Sequence, residues 1–162
     1  MDENQRSNDA VTAARPLPPT LKERGAVQRI VDRLLDELAP ERALKRSDRP
    51  PVPVEAYRTP SGCILQGASE ALSVSWFADA SDQATLGELQ VVLWSGVVTR
   101  RGSARPSTNA VVVREVVLRP VNRPTDDSVW QAADGTLYNG DALAAFCVAM
   151  LDRQRDDRVD SL

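Results

Sequence analysis

A run of short strand-like segments, with no helical pattern among them, most constrains what this chain can fold into. Leu72, Val74 and Trp76 alternate with Ser73 and Ser75, which is the period-2 pattern of a half-buried strand. Strands joined by short connections pair antiparallel, because parallel pairing needs a long crossover. The run therefore predicts one antiparallel sheet.

The other strand-like segments are bounded by turn residues. The predicted hairpin at the start of the sheet has its turn at 59–62, and Gly96 is predicted to be a bulge or kink in a long strand. The segments are 54–58, 63–66, 86–99, 109–119 and a last small hairpin over 128–138. Without the small hairpin, the segments and the strand around Val74 predict a sheet of about five strands.

A helical pattern precedes the sheet and another follows it. Thr20 and Glu23 have the spacing of a capping box at the start of the first helix. The second helix is predicted from Asp141, with Asn139 or Asp141 as its N-cap. The predicted apolar stripes are Val27, Ile30, Val31, Leu34, Leu35 and Leu38 in the first helix, and Leu143, Phe146, Cys147, Met150 and Leu151 in the second.

These patterns predict an α+β fold with an N-terminal amphipathic helix, an antiparallel sheet of about five strands and a C-terminal helix packed on the sheet. Proline and charge mark the boundaries between its parts. In chain order the predicted parts are an extended arm at 1–19, the amphipathic helix at 20–46, a proline-rich linker at 47–53, the sheet domain with its closing helix at 54–152, and a charged tail at 153–162.

The chain contains no histidine, and its only lysines are Lys22 and Lys45. Histidine is the commonest side-chain base and metal ligand, and lysine is the residue of Schiff bases and phosphate loops. Cys63 and Cys147 have no histidine to activate them, and both lie in apolar segments that predict buried thiols. The sequence therefore predicts a protein that is not an enzyme and that carries no cofactor.

Arginine is concentrated in the connection between the two long strands. Arg100, Arg101 and Arg105 lie in a segment too long for a tight turn, and we expect this basic hairpin to project into solvent. It could be a solvated turn, or it could bind an acidic protein, anionic lipid headgroups or nucleic acid. Arg15 and Leu17, in the arm, are further candidate contacts with a partner.

Acidic residues are concentrated in two predicted loops, which leaves a carboxylate-dependent metallohydrolase as an alternative. Their spacing matches no calcium-binding helix–loop–helix motif, and aspartate is also a common turn residue. The acids are Asp79, Asp82, Asp126, Asp127 and Asp134.

The main hypothesis is a non-catalytic accessory or adaptor subunit of a larger bacterial complex, whose contact surfaces are the arm, the stripe helix and the basic hairpin. Its partners would be other protein subunits. A nucleic-acid-binding or anion-binding module that uses the hairpin from Arg100 to Arg105 is the alternative. Since the sequence contains no apolar run of membrane-spanning length and no basic-then-apolar leader, we expect a cytoplasmic protein, with peripheral membrane association left open.

Overall fold

The computed structural model describes residues 17–39, 42, 43, 45, 54–78, 85–98, 109–121 and 130–159. Within these ranges the fold is α+β, with one helix before the sheet and one after it, as predicted. The elements are α1 (Leu21–Glu37), β1 (Glu55–Thr59), β2 (Gly62–Gln66), β3 (Glu70–Phe77), β4 (Glu88–Ser95), β5 (Val111–Pro120), β6 (Trp130–Ala132), β7 (Leu137–Tyr138) and α2 (Gly140–Val159).

The seven strands form one antiparallel sheet in the order of the sequence. The predicted number was about five. The sheet is larger because the short hairpin β6–β7 joins it through pairing of Leu118 with Ala132 and of Pro120 with Trp130. This hairpin turns at Gly135, whose φ of 87° lies in the region that favours glycine.

Helix α1 begins with the predicted capping box. The Thr20 hydroxyl accepts from the Glu23 amide at 3.2 Å, and the Glu23 carboxylate accepts from the Thr20 amide at 2.8 Å. The helix ends at Glu37, earlier than the predicted 46, and residues 42, 43 and 45 are helical again after a turn. A proline disfavours helical geometry in the residue before it, so the Pro40 in the sequence accounts for the interruption.

The apolar stripe of α1 packs into the core of its own domain. Val31 is fully buried, and the other buried members of the stripe are at most 2% exposed. Arg58 of β1 reaches α1 from the sheet, with its guanidinium 3.5 Å from the Asp36 carboxylate and 3.9 Å from that of Asp32. The apolar stripe is therefore buried within its own domain, whereas the sequence pattern alone fits packing either on the chain's own sheet or on another chain.

Alternate residues of the strands form the sheet's half of the core. Trp76 of β3 meets Trp130 of β6 edge to face, with ring centroids 5.9 Å apart. The buried residues on this side of the sheet include Cys63, Leu65, Leu72, Val74, Trp76, Leu89, Val91, Leu93, Leu118 and Trp130. The sheet therefore buries one face against the two helices.

Helix α2 covers the sheet from the C-terminal side of the chain. The Asn139 side chain accepts from the Ala142 amide at 2.7 Å, so Asn139 is the N-cap. The helix continues to Val159, through most of the segment predicted as a charged tail. That segment contains neither glycine nor proline, and arginine and glutamine are good helix formers, so nothing in it ends the helix at 152.

Cys63 and Cys147 are buried free thiols, as predicted. Burial raises the pKa of the Cys63 thiol to about 11, partly opposed by the nearby Arg58 guanidinium. Burial also raises the pKa of Cys147, and Cys63 adds to that rise. Both thiols are therefore held neutral at physiological pH, which lowers their nucleophilicity.

The two raised thiol pKa values predict a loss of stability in alkali. The folded pKa exceeds the ordinary value of 9.0, so stability is fully present below about pH 9 and falls as the pH rises toward 11. The expected slope is up to about 1.4 kcal/mol per thiol per pH unit in this window. Urea unfolding should show this slope in the wild type and a flatter one in a C63A/C147A variant. Equal slopes would contradict the burial of the two thiols.

Candidate interaction surface

One face of the sheet is packed against the helices and the opposite face is not. On the covered face, Arg58 contacts α1, and the Arg114 guanidinium lies 5.4 Å from the centre of the Phe146 ring on α2. Neighbouring residues along a strand point to opposite faces. None of the described helices lies on the open face, which includes Tyr57, Ile64, Ser73, Ser75, Phe77, Glu88, Gln90, Val92, Trp94, Val112, Glu115, Val117, Arg119, Gln131 and Leu137, together with Glu55 and the buried Gln66 and Ala71.

The strand register places five side chains of the open face in one row. Phe77 pairs with Glu88, and Gln131 pairs with both Arg119 and Leu137. The Arg119 guanidinium closes the row by donating to the Glu88 carboxylate, at 2.9 Å from Nε. Phe77 is 51% exposed and Leu137 is 57% exposed. Phe77 and Leu137 thus lie at the two ends of the row, with the ion pair between them. Their strands are four strand spacings, or about 19 Å, apart.

Hydrogen bonds fix the centre of the open face. The indole nitrogen of Trp94 donates to the Ser73 hydroxyl at 2.9 Å, and the Gln90 amide donates to the Glu115 carboxylate. Trp94 remains half-buried, while Val92 beside it is buried. These hydrogen bonds therefore hold the aromatic and charged side chains at the centre of the open face in defined positions.

The three tryptophans differ in their surroundings. Tryptophans on strands are more often core residues, with the indole N–H bonded to an acceptor. Trp76 and Trp130 are core residues, whereas Trp94 is on the open face and donates to a hydroxyl. The Trp130 indole nitrogen is buried and has no hydrogen-bond acceptor among the described residues. Trp94 is therefore the tryptophan that the sheet presents outside its core.

The beginning of β5 exposes three valines in succession. Val111 is 63% exposed, Val112 is 49% exposed and Val113 is 46% exposed. The register between β4 and β5 shifts between Leu93 and Trp94, which locally disturbs the pairing opposite these valines. This end of β5 therefore combines high strand propensity with apolar exposure.

The buried Gln66 side chain fixes the path of the chain as it leaves β4. Its amide nitrogen donates to the Glu70 carbonyl at 3.0 Å and to the Gly96 carbonyl at 3.3 Å, and its oxygen accepts from the Val98 amide at 2.9 Å. Gly96 has a φ of 110° and follows the last residue of β4, so the strand ends there instead of continuing beyond a bulge or kink as predicted. The chain therefore leaves β4, toward the segment predicted as the basic hairpin, along a path that the Gln66 hydrogen bonds hold.

The residues predicted to contact a partner fall in two groups. Leu17 is 89% exposed, and so is Leu21 at the start of α1. Arg15, Arg100, Arg101 and Arg105 lie outside the described residues, and so do the arm up to residue 16 and the linker at 47–53. The open face was not among the predicted contacts, although the alternation in β3 already separated Phe77 from the core.

The acidic residues give no metal site in the described part of the chain. Asp134 accepts from the Thr136 amide at 2.9 Å, and this hydrogen bond holds the pKa of its carboxyl below the usual value. This is the turn role of aspartate. Asp79, Asp82, Asp126 and Asp127 lie outside the described residues.

Neither α1 nor α2 could cross a bilayer, since no described helix is both long and apolar enough. The chain matches no family model, no curated protein and no solved structure with which it was compared.

Proposed function

We propose that this protein is a non-catalytic accessory or adaptor subunit that binds another protein through the open face of its sheet. The observation that carries the proposal is the row in which Phe77 and Leu137 flank the Glu88–Arg119 ion pair. The chain buries its helical stripes in its own core, yet it leaves these two large apolar side chains exposed on rigid strands. Their exposure costs free energy that a partner would recover.

The chemistry of the open face suits a protein partner. Protein interfaces combine apolar and aromatic contacts with a charged rim, and arginine and aromatic side chains contribute most to their affinity. Trp94 is held by Ser73 near the centre, and the Arg119 guanidinium is 63% exposed despite its ion pair. A partner with an apolar ridge and an acidic side chain near Arg119 would fit this surface.

Other residues add candidate contacts outside the open face. Leu17 and Leu21 are exposed apolar side chains near the start of α1, and Arg24 on the next turn donates to the Ala78 carbonyl beyond β3. Arg100, Arg101 and Arg105, which lie outside the described residues, would attract an acidic partner.

The proposal is tested by placing a photo-cross-linking amino acid at single positions of the full chain in the organism it comes from. We expect position 77 and position 137 each to cross-link the same partner, because the row places both on one surface. Arg29, which is exposed on α1, is the matched control position and should not cross-link it. Phe77→Ser should reduce cross-linking from position 137 at least tenfold without changing the thermal midpoint.

Two results would overturn the proposal. One is cross-linking that is equally strong from position 29 and position 77, because contact would then not depend on the open face. The other is no protein adduct from the open face while cross-linkers at positions 100 and 101 give salt-sensitive nucleic-acid adducts, which would favour the nucleic-acid-binding alternative.

A further inference from the structure

We infer that the outer edge of β5, over Val111–Val117, accepts an extended strand from the protein partner and so enlarges the sheet. This inference rests on the proposed function, and it adds the way in which the partner's backbone is recognised. Strand addition to a sheet edge is a common way of binding extended peptides, in which the main chain supplies affinity and alternate side chains supply specificity.

The inner and outer edges of β5 differ in their pairing. On the inner edge, β4 pairs with β5 from Val111 to Leu118. On the outer edge, β6 pairs only from Leu118 to Pro120. No strand among the described residues pairs with the outer edge of 111–117. Since N–H and C=O groups of alternate residues point outward from a strand, this stretch offers three or four residues for pairing.

Two further edges of the sheet, on β1 and β7, have no pairing strand among the described residues, and both are less suited to strand addition. The strand β1 carries charge at Glu55 and Arg58, and the latter is engaged with Asp36 on α1. Charged side chains on an edge deter pairing with another strand. The strand β7 has only two residues. By contrast, the free part of the β5 edge begins with three exposed apolar residues, Val111, Val112 and Val113, and its charges follow only at Arg114 and Glu115.

A second copy of this chain fits the edge poorly. In a two-fold antiparallel pairing that uses all of 111–117, the axis passes through Arg114 and places that residue opposite its own copy. Moving the axis by one residue toward the C-terminus places Glu115 opposite Glu115. Moving it by one residue the other way places the apolar Val111 and Val112 opposite the charged Glu115 and Arg114. Like charges directly opposite each other destabilise a strand pair. The charges instead favour a different chain, with an apolar segment beside Val111–Val113, an acidic residue beside Arg114 and a basic residue beside Glu115.

Amide hydrogen exchange in the isolated complex tests the inference on the full chain. We expect alternate amides within 111–117 to exchange at least tenfold more slowly in the complex than in the protein alone. If a complex forms through the open face and these amides exchange equally fast with and without the partner, the inference is wrong and the proposed function stands. If no complex forms, both fail. Protection that depends on the concentration of the protein alone would indicate a second copy and overturn the inference.

Paired substitutions provide an independent readout. V111K/V113K adds two charges to the edge, one at Val111 opposite Ser95 and one at Val113, the residue at the register shift, and should weaken partner binding at least tenfold. Ala145→Lys adds a charge to the exposed side of α2 and should leave binding unchanged. Both variants should keep the wild-type thermal midpoint, because the substituted side chains are exposed. Partner binding by V111K/V113K that matches the wild type would overturn strand addition.

Discussion

Gly87→Ala should lower the free energy of unfolding by about 3 kcal/mol, because backbone strain and a steric clash combine at this position. Gly87 has a φ of 118°, which side-chain-bearing residues rarely adopt. An added Cβ would also lie 2.5 Å from the Trp76 ring and 2.7 Å from the Phe77 carbonyl oxygen. Since Trp76 is packed against Trp130, the ring cannot move without disturbing the core.

Substitutions at two other glycines distinguish the contribution of backbone strain from that of the steric clash. Gly135 has a φ of 87° with nothing within 4 Å of an added Cβ, so Gly135→Ala should cost only the backbone strain, about 1 kcal/mol. Gly62 lacks the positive φ, but its Cβ would lie 2.4 Å from the Val74 carbonyl oxygen, so Gly62→Ala tests close approach alone. Chemical unfolding measures all three. Equal losses for Gly87→Ala and Gly135→Ala would contradict the packing of Gly87 on Trp76.

Gly87 also matters for the open face. It precedes Glu88, the residue that pairs with Phe77 and binds Arg119. A shift of the chain at Gly87 would therefore move the row as well as the core, and Gly87→Ala should weaken partner binding together with stability. Gly135→Ala should change binding much less.

Leu34→Ala should lower the free energy of unfolding by about 2–5 kcal/mol, because it removes a side chain that is only 2% exposed and leaves a cavity. The cavity would lie in the shared core, in which the stripe of α1 packs together with α2 and the covered face of the sheet. The loss should appear in the isolated protein, with no partner present.

Leu21→Ala is the matched control on the same helix, since Leu21 is 89% exposed. It should change the free energy of unfolding by less than about 0.5 kcal/mol. Urea unfolding followed by tryptophan fluorescence compares the two variants. If Leu34→Ala left stability unchanged and instead weakened partner binding, the stripe would be a partner surface, as the sequence had suggested.

Local patterns in the sequence predicted the type and order of the helices and strands, but not all of their ends. The capping box at Thr20 set the start of α1, and the alternation around Val74 set the two faces of β3, because both signals lie within a few residues. The end of α2 was placed too early. Charge alone suggested a tail there, whereas helix propensity and the absence of glycine and proline favour continuation.

The candidate site could not be predicted because it depends on register between distant residues. Phe77 and Leu137 belong to separate hairpins, and only the pairing of five strands places them in one row. The stripe of α1 was ambiguous for another reason. An apolar face of that width can pack on its own sheet or on another chain, and the sequence pattern is the same in both cases.

The most direct measurement is photo-cross-linking from position 77 of the full chain, compared with position 29, in the organism it comes from. If the protein is an adaptor that binds through the open face, position 77 gives one dominant protein adduct, position 137 gives the same one, and position 29 gives none. If position 77 gives no protein adduct, or only the adducts seen from position 29, the open face is not a binding surface and the proposed function is wrong.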